Sequence, residues 1–375
     1  MSTLLNQGAY GCVFYPGIDC QGKPYATKKY VTKVQRKGYS ATNEEEISKI
    51  IRTIPDYQLF FVPVESSCSI ELSAIGKKLA KECRVMKKET DMKSEYVLMR
   101  MGHIESVHFF AYITDSAEKK AFLFTNMIST LGHLLTGVGY LLDRNIVHFD
   151  LKSENILYSA SNNLPLMIDF GISLDMSKVQ KDNLANHFYV SVPQYYVWPF
   201  DVHLLCFISR LVPEDGVLQQ ENVVEMASTY VSYNKSLEIY SPEFREKYRE
   251  KCLNYGGKFV GRKRDLVIDE LLEGYRTWDT YSLSILFLRF VSYLFGRGFN
   301  KSKFLVLFTQ LLLENCSPDP RDRHSHSETL KRVNMIFSSK TSAQELSDLL
   351  ETMDVDAVEV QELINTDEVK LPDKK

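Results

Sequence analysis

The hydrophobic period of this chain changes near residue 104, and that change constrains its fold more than any other feature. Before it, β-branched and aromatic runs alternate with Gly/Pro turns, as in GCVFYPG, KYVTKV, FFVPVE and YVLMRM. One helical stretch, Asn43 to Ile54, interrupts them. After it, Leu131, Leu134, Leu135, Val138, Leu141 and Leu142 recur at i, i+3, i+4 spacing within Phe122 to Leu142, which predicts an amphipathic helix. Two short strand-like pieces follow, NILYSA and LPLMIDF, divided by an Asn-Asn turn at 162–163. A sheet-rich front followed by a helical remainder is an α+β chain, and 375 residues suffice for two lobes.

Composition excludes several classes. Hydrophobic residues at 44% and charged residues at 25% rule out a disordered or fibrous chain. A net charge of −3 argues against a polybasic nucleic-acid coat, so no nucleic acid is expected as partner. The most apolar window, Thr280 to Phe295, is shorter than a membrane span and carries Arg289 near its middle. It reads as a helix buried in a large core, with no membrane partner. The seven cysteines are odd in number, scattered and without a CxxC pair. On that ground neither a disulfide framework nor a zinc site is expected, and a reducing, intracellular compartment is. The N-terminus has no charged leader followed by an apolar stretch, as a signal peptide would. The loop GGKFVGRKRD (256–265) is either a surface turn or a docking patch for an anionic partner. Residues 341–369 hold nine acidic and no basic side chains and read as a short acidic helix or tail.

Three stretches carry chemistry. In LNQGAYGCV (5–13), Gly8 and Gly11 precede Val13 on a strand–turn–strand. Backbone N–H groups there can approach phosphates where a Cβ would clash, although a GxxG also serves as a plain hairpin turn. In HFDLKSEN (148–155), Asp150, Lys152 and Asn155 lie on a tight loop that can present an acceptor, a cation and a metal-binding amide. In IDFG (168–171), Asp169 ends a strand and offers a hard oxygen suited to Mg²⁺.

In this order the three stretches resemble the eukaryotic-type protein kinases. WDTYSL (278–283) resembles the buried-Asp helix of their large lobe, and DPRDRHS (319–325) their late arginine motif, with Arg323 structural. A narrower resemblance, in GAYGCVFYPG, YVTKV, VHFDLKSEN and YYVWPFDVH, is to the serine/threonine kinases of large double-stranded DNA viruses. That places the chain in the host cytoplasm or the virion.

The resemblance implies a bilobal fold: an antiparallel-sheet N-lobe with one helix over 1–101 and a mainly helical C-lobe over 102–338. The C-lobe carries an enlarged insertion at 202–277, and a tail follows over 339–375. It further implies transfer of the ATP γ-phosphate to a Ser or Thr hydroxyl of a protein substrate. Asp150 accepts the substrate proton, Lys152 screens the phosphate in the serine/threonine form of the loop, and Asn155 and Asp169 hold Mg²⁺. Asn6, Gly8, Gly11, Val13 and Met101 contact the nucleotide, with Met99 to Gly102 as the hinge for adenine. The small-lobe lysine is Lys33, with Lys28 a rival. Its carboxylate partner is Glu46, with Glu44 and Glu45 facing solvent.

The pattern also departs from the family. Asn6 stands where a loop glycine is usual, and Phe149 replaces the arginine before the catalytic Asp. Without that guanidinium a phosphate on the activation segment loses its main partner, so activity independent of such phosphorylation is expected. Trp198-Pro199-Phe200-Asp201 stands at the usual Ala-Pro-Glu anchor. The insertion either shapes substrate choice or partner binding, or is a peripheral helical elaboration.

Overall fold

A computed structural model of the chain describes residues 2–8, 11–108, 123–296, 303–338 and 371. It divides into two units, one formed by Met1–Ser106 with Ser159–Ser173, the other by Val107–Tyr158 and the residues from Leu174 onward. The acidic segment 341–369 lies outside the described residues.

In the first unit β1 (Thr3–Gln7), β2 (Gly11–Tyr15), β3 (Tyr30–Arg36), β4 (Ser66–Glu71) and β5 (Glu95–Gly102) form an antiparallel sheet in the order β1-β2-β3-β5-β4. The period-2 alternation explains its two faces. Cys12, Phe14, Val34, Tyr96 and Leu98 build one apolar cluster, while Val31, Met99 and Met101 build another with Ala41 of α1 (Tyr39–Ile51). Gly11 is required by packing, since a Cβ there would lie 2.5 Å from the Val34 carbonyl oxygen. The FFVPVE run does not become a strand. Pro63 has no N–H to give a ladder, and Phe61 instead makes an isolated parallel bridge to Met167.

Four cysteines of this unit are paired, which corrects the expectation of no disulfides. Cys12 is bonded to Cys83, just after α2 (Lys77–Glu82), and Cys20 to Cys68 of β4. Partners 71 and 48 residues apart give no spacing signal. The pairing removes the ground on which a reducing compartment was expected. Cys206, Cys252 and Cys316 are free and buried.

The second unit is helical. Its first helix, α3 (Leu123–Leu142), buries Leu131, Leu134, Leu135, Val138, Leu141 and Leu142, the stripe its period predicts. The segment 202–277 is woven into the core rather than laid over it. It supplies most of α4 (Phe200–Leu211) and all of α5 (Gln220–Tyr233), α6 (Pro242–Gly257) and α7 (Arg264–Leu272). Tyr230 of α5 meets the Tyr281 hydroxyl inside the unit, and Tyr248 of α6 donates to the Cys316 carbonyl at 2.7 Å. Gly256 lets α5 and α6 approach closely, since a Cβ there would lie 2.5 Å from Val223 Cγ1. Three of the four cations of the basic loop have partners within the unit. Lys258 pairs with Asp319 at 2.8 Å, Arg262 with Glu270 at 2.9 Å, and Arg264 reaches the carbonyls of Ile208 and Ser209.

The apolar window is α8 (Trp278–Gly296), and among its described side chains Leu283, Leu288, Phe290 and Val291 are fully buried. Among the described residues, α9 (Lys303–Asn315) and α10 (His326–Ser338) follow it. Among the described residues no helix is long and apolar enough to cross a membrane.

Candidate active site

Lys33 sits in the central strand of the sheet, opposite Val13 on one side and Met99 on the other. Strand alternation therefore turns its side chain to the face that carries Val31, Met101 and α1. There its Nζ lies 2.7 Å from Glu44 Oε2 and 2.9 Å from Asp169 Oδ1. Burial works against the Lys33 ammonium, but Asp169 and Glu44 outweigh it and hold its pKa above the ordinary lysine value. Burial pushes the Glu44 carboxyl up to about 7, against the pull of Lys33 and with a further push from Asp169.

Two sequence expectations are corrected here. Lys33 is paired with Glu44, which is 1% exposed, while Glu46 lies on the exposed face of α1. Met99 to Gly102 lie inside β5, paired with β3, so they are strand rather than a hinge after it. Met101 enters as a buried side chain of the cluster that Val13 also touches. Lys28 is exposed on the turn before β3. Asn6 and Gly8 are exposed beside the turn that the Gly8 N–H closes onto the Gly11 carbonyl, and Asn6 Oδ1 accepts from the Gln7 N–H.

Asp169 is set by α1 as much as by its own loop. Asn43 donates through Nδ2 to the carbonyls of Phe170, Gly171 and Ser173, at 3.4, 3.2 and 2.8 Å. Phe170 is buried edge-on against Phe61. Gly171 permits this approach, since a Cβ would lie 2.5 Å from Ser40 Oγ. Asp169 itself is at φ 63, a left-handed conformation that a non-glycine residue keeps only where its surroundings fix it. Asn43 carried no sequence signal beyond its place one residue before Glu44.

The second unit holds the other group of residues. Ile146–Val147 pairs antiparallel with Leu174–Asp175 and leads into the loop. Asp279 of α8, itself 2% exposed, accepts the N–H groups of His148 at 2.7 Å and Phe149 at 2.9 Å. Burial raises the Asp279 pKa, against His148 and those two amides. His148 is fully buried, and its Nδ1 accepts weakly from the Asp150 N–H at 3.4 Å, so it packs and bonds backbone.

With its backbone so held, Asp150 has its Oδ2 2.8 Å from Asn155 Nδ2 and 3.2 Å from Lys152 Nζ. Asn155 Nδ2 also donates to the Asp150 carbonyl at 2.8 Å. Both amide protons are thus directed at Asp150, which leaves the Asn155 oxygen as the cation-facing atom of that side chain. Taken each in its own unit, the Asn155 amide oxygen and the Asp169 carboxylate are hard donors of the kind Mg²⁺ takes, and their chemistry fits that ion.

Phe149, at φ 69, fills the place of the missing arginine with an aromatic cluster. It stacks on Trp198 at 4.5 Å and lies 5.8 Å from Phe188 and 5.9 Å from Trp278, while Trp198 Nε1 donates to its carbonyl at 2.6 Å. Asp201, one position beyond the expected acidic anchor, pairs with Arg323 at 2.5 Å and accepts from Trp278 Nε1 at 2.7 Å. The buried ion pair to Arg323 is thus made from the position one past the Ala-Pro-Glu glutamate.

A buried strand lysine shared by two carboxylates, a loop of Asp, Lys and Asn hung on a buried Asp, and glycines ahead of them are the features of a protein kinase domain. The family model described as the protein kinase domain matches residues 2–197, just over half of the chain, and the chain belongs to that family. It is similar to calcium-dependent protein kinase 4 of Plasmodium falciparum (isolate 3D7), 24% identical over 177 residues that cover 39% of this chain and 33% of that protein. It is also similar to the protein of the same name from Plasmodium berghei (strain Anka), 25% identical over 167 residues covering 35% and 32%. The chain thus spans about a third of the length of these curated relatives.

Proposed function

We propose that this chain is an ATP- and Mg²⁺-dependent protein kinase that phosphorylates serine or threonine hydroxyls of a protein substrate. The observation that carries the reading is Lys33, buried and shared between Glu44 and Asp169, a cation pre-set for the phosphates of a nucleotide. Asp150 accepts the proton of the substrate hydroxyl, and Lys152 beside it offsets charge on the transferred group. Asn155 and Asp169 would hold Mg²⁺, which supplies charge neutralisation on the phosphate oxygens. Val13 and Met101 supply the apolar contacts for the base, and the backbone at Asn6, Gly8 and Gly11 borders the phosphates. A lysine two residues after the proposed base is the serine/threonine form of the loop. The finer likeness to kinases of large double-stranded DNA viruses belongs to the same proposal, and with it a place in the host cytoplasm or the virion.

Label transfer from γ-labelled ATP to generic acidic and basic proteins tests the activity, with phosphoamino-acid analysis of the product. Asp150→Asn is expected to lower transfer by about 10²–10⁴-fold. Equal transfer by that variant, or label on tyrosine alone, overturns the assignment.

Activity without activation-segment phosphorylation is part of the proposal. The aromatic cluster around Phe149 ties the segment through Phe188 and Trp198, by ring contacts between neutral side chains. Protein treated with phosphatase and then freed of it should turn over as untreated protein does. Loss of activity on treatment refutes this.

A further inference from the structure

Tyr195 lies beyond Asp169 in sequence, in the stretch that ends at Trp198, and it is 2% exposed. Its hydroxyl donates to Asp150 Oδ1. The ring packs edge-on against Trp198 at 5.3 Å, and the Lys152 ammonium sits 5.8 Å from its centre. The Tyr195 carbonyl is held in turn, 3.1 Å from His203 Nε2. Burial lowers the His203 pKa to about 4, so its ring is neutral at pH 7 and Nε2–H donates to that carbonyl.

A carboxylate offers about four acceptor positions. At Asp150 the contacts of Tyr195, Asn155 and Lys152 occupy three of them, two on Oδ2 and one on Oδ1. Among the described residues the position left is the second lone pair of Oδ1. The carboxylate is thus held against rotation from both oxygens, and one acceptor direction remains for an incoming hydroxyl.

We propose that Tyr195 is a positioning residue for phosphoryl transfer, its phenol fixing Asp150 so that the remaining Oδ1 lone pair receives the substrate hydroxyl. This rests on the kinase reading above. It also gives the aromatic cluster a route to the reacting carboxylate. Phe149 stacks on Trp198, Trp198 packs on Tyr195, and Tyr195 bonds Asp150. The folded segment and the base are thereby coupled through side chains alone.

Tyr195→Phe removes the hydroxyl and keeps the ring. A hydrogen bond to a charged group of this kind should lower kcat by about 10–100-fold, with KM for ATP and the melting temperature unchanged. In an Asp150→Asn background the same change should have no further effect, because the carboxylate it positions is gone. A kcat within twofold of the unaltered chain overturns the proposal. A rise in kcat also overturns it, since the phenol would then be blocking the substrate position. A fall that repeats in full in the Asp150→Asn background, or that comes with a lower melting temperature, reduces Tyr195 to a packing residue. No transfer by the unaltered chain defeats the kinase reading itself, whereas transfer matched by Tyr195→Phe defeats only the role of the tyrosine.

Discussion

Asp201→Ala is expected to lower the stability of the helical unit by about 3–5 kcal/mol, read as a lower midpoint in urea with an unchanged slope. The size follows from what the substitution leaves behind. The Arg323 side chain is 1% exposed and Asp201 is 0% exposed, so removing the carboxylate strands a guanidinium where water cannot reach it. Arg323 keeps the carbonyls of Ser317 and Pro318 and the Thr277 hydroxyl, but none of these carries a compensating charge. Trp278 loses the acceptor of its indole N–H as well. Asp201→Asn retains an acceptor for one of these donors and should lie between the two. A cost below about 1 kcal/mol for Asp201→Ala would show that the pair is not what ties this segment to the late arginine.

The outline of the fold and most of the site were legible because they depend on local pattern. The α3 stripe, the buried α8 window and the loop from His148 to Asn155 each follow from spacing within one segment. Glu44 was misassigned for a reason the helix itself supplies. Ala41, Glu44, Ser48 and Ile51 share the buried face of α1, whereas Glu46 lies about 200° round from Glu44 at 3.6 residues per turn. Glu46 stands beside Ile47 in sequence, but a neighbour in sequence points elsewhere on a helix. Asp201 stood at the Ala-Pro-Glu anchor in the sequence, but its partner Arg323 lies 122 residues away and no local pattern joins them. The disulfides were hidden because they join strands and loops far apart in the chain, and pairing of that kind depends on three-dimensional closeness. Tyr195 could not be read at all, since one tyrosine among 21 acquires its meaning only from Asp150 beside it.

The departure at Phe149 and the contact at Tyr195 bear on one question, how the segment before α4 is kept ordered. An arginine-based lock needs a phosphate, and so it responds to a modifying enzyme. A buried aromatic lock responds to nothing in solution, because Phe149, Phe188, Trp198 and Trp278 are each no more than 2% exposed. On the proposal that activity needs no activation-segment phosphate, this buried cluster is what holds the segment in place of the arginine lock.

Lys33→Met should reduce the proposed transfer by roughly 10²–10³-fold, the effect of removing one pre-set charge donor from developing negative charge. Lys28→Met should leave it unchanged, because Lys28 sits on an exposed turn. The same contrast holds for the carboxylates, with Glu44→Gln impaired and Glu46→Gln close to normal. Acid dependence separates Glu44 from every other contributor. Its pKa of about 7 means that the carboxylate paired with Lys33 forms as pH rises through neutrality, so ATP affinity should climb over that range. Glu44→Gln should lack that rise, while the ionisation of the nucleotide itself is common to both proteins. Stability should move the opposite way. The folded chain holds a proton on Glu44 between its ordinary value of 4.5 and about 7, where the unfolded chain has lost it. The Glu44 contribution to stability therefore declines as pH rises through that window. Lys33 stays charged throughout, with its pKa above 10.5, and adds no slope there. Loss of transfer on changing Lys28 but not Lys33, or an ATP-affinity profile identical in Glu44→Gln, would break the assignment of this ion pair. The opposed signs follow from one cause: burying Glu44 beside Lys33 costs the sheet some stability at neutral pH and leaves a fixed ammonium facing Asp169.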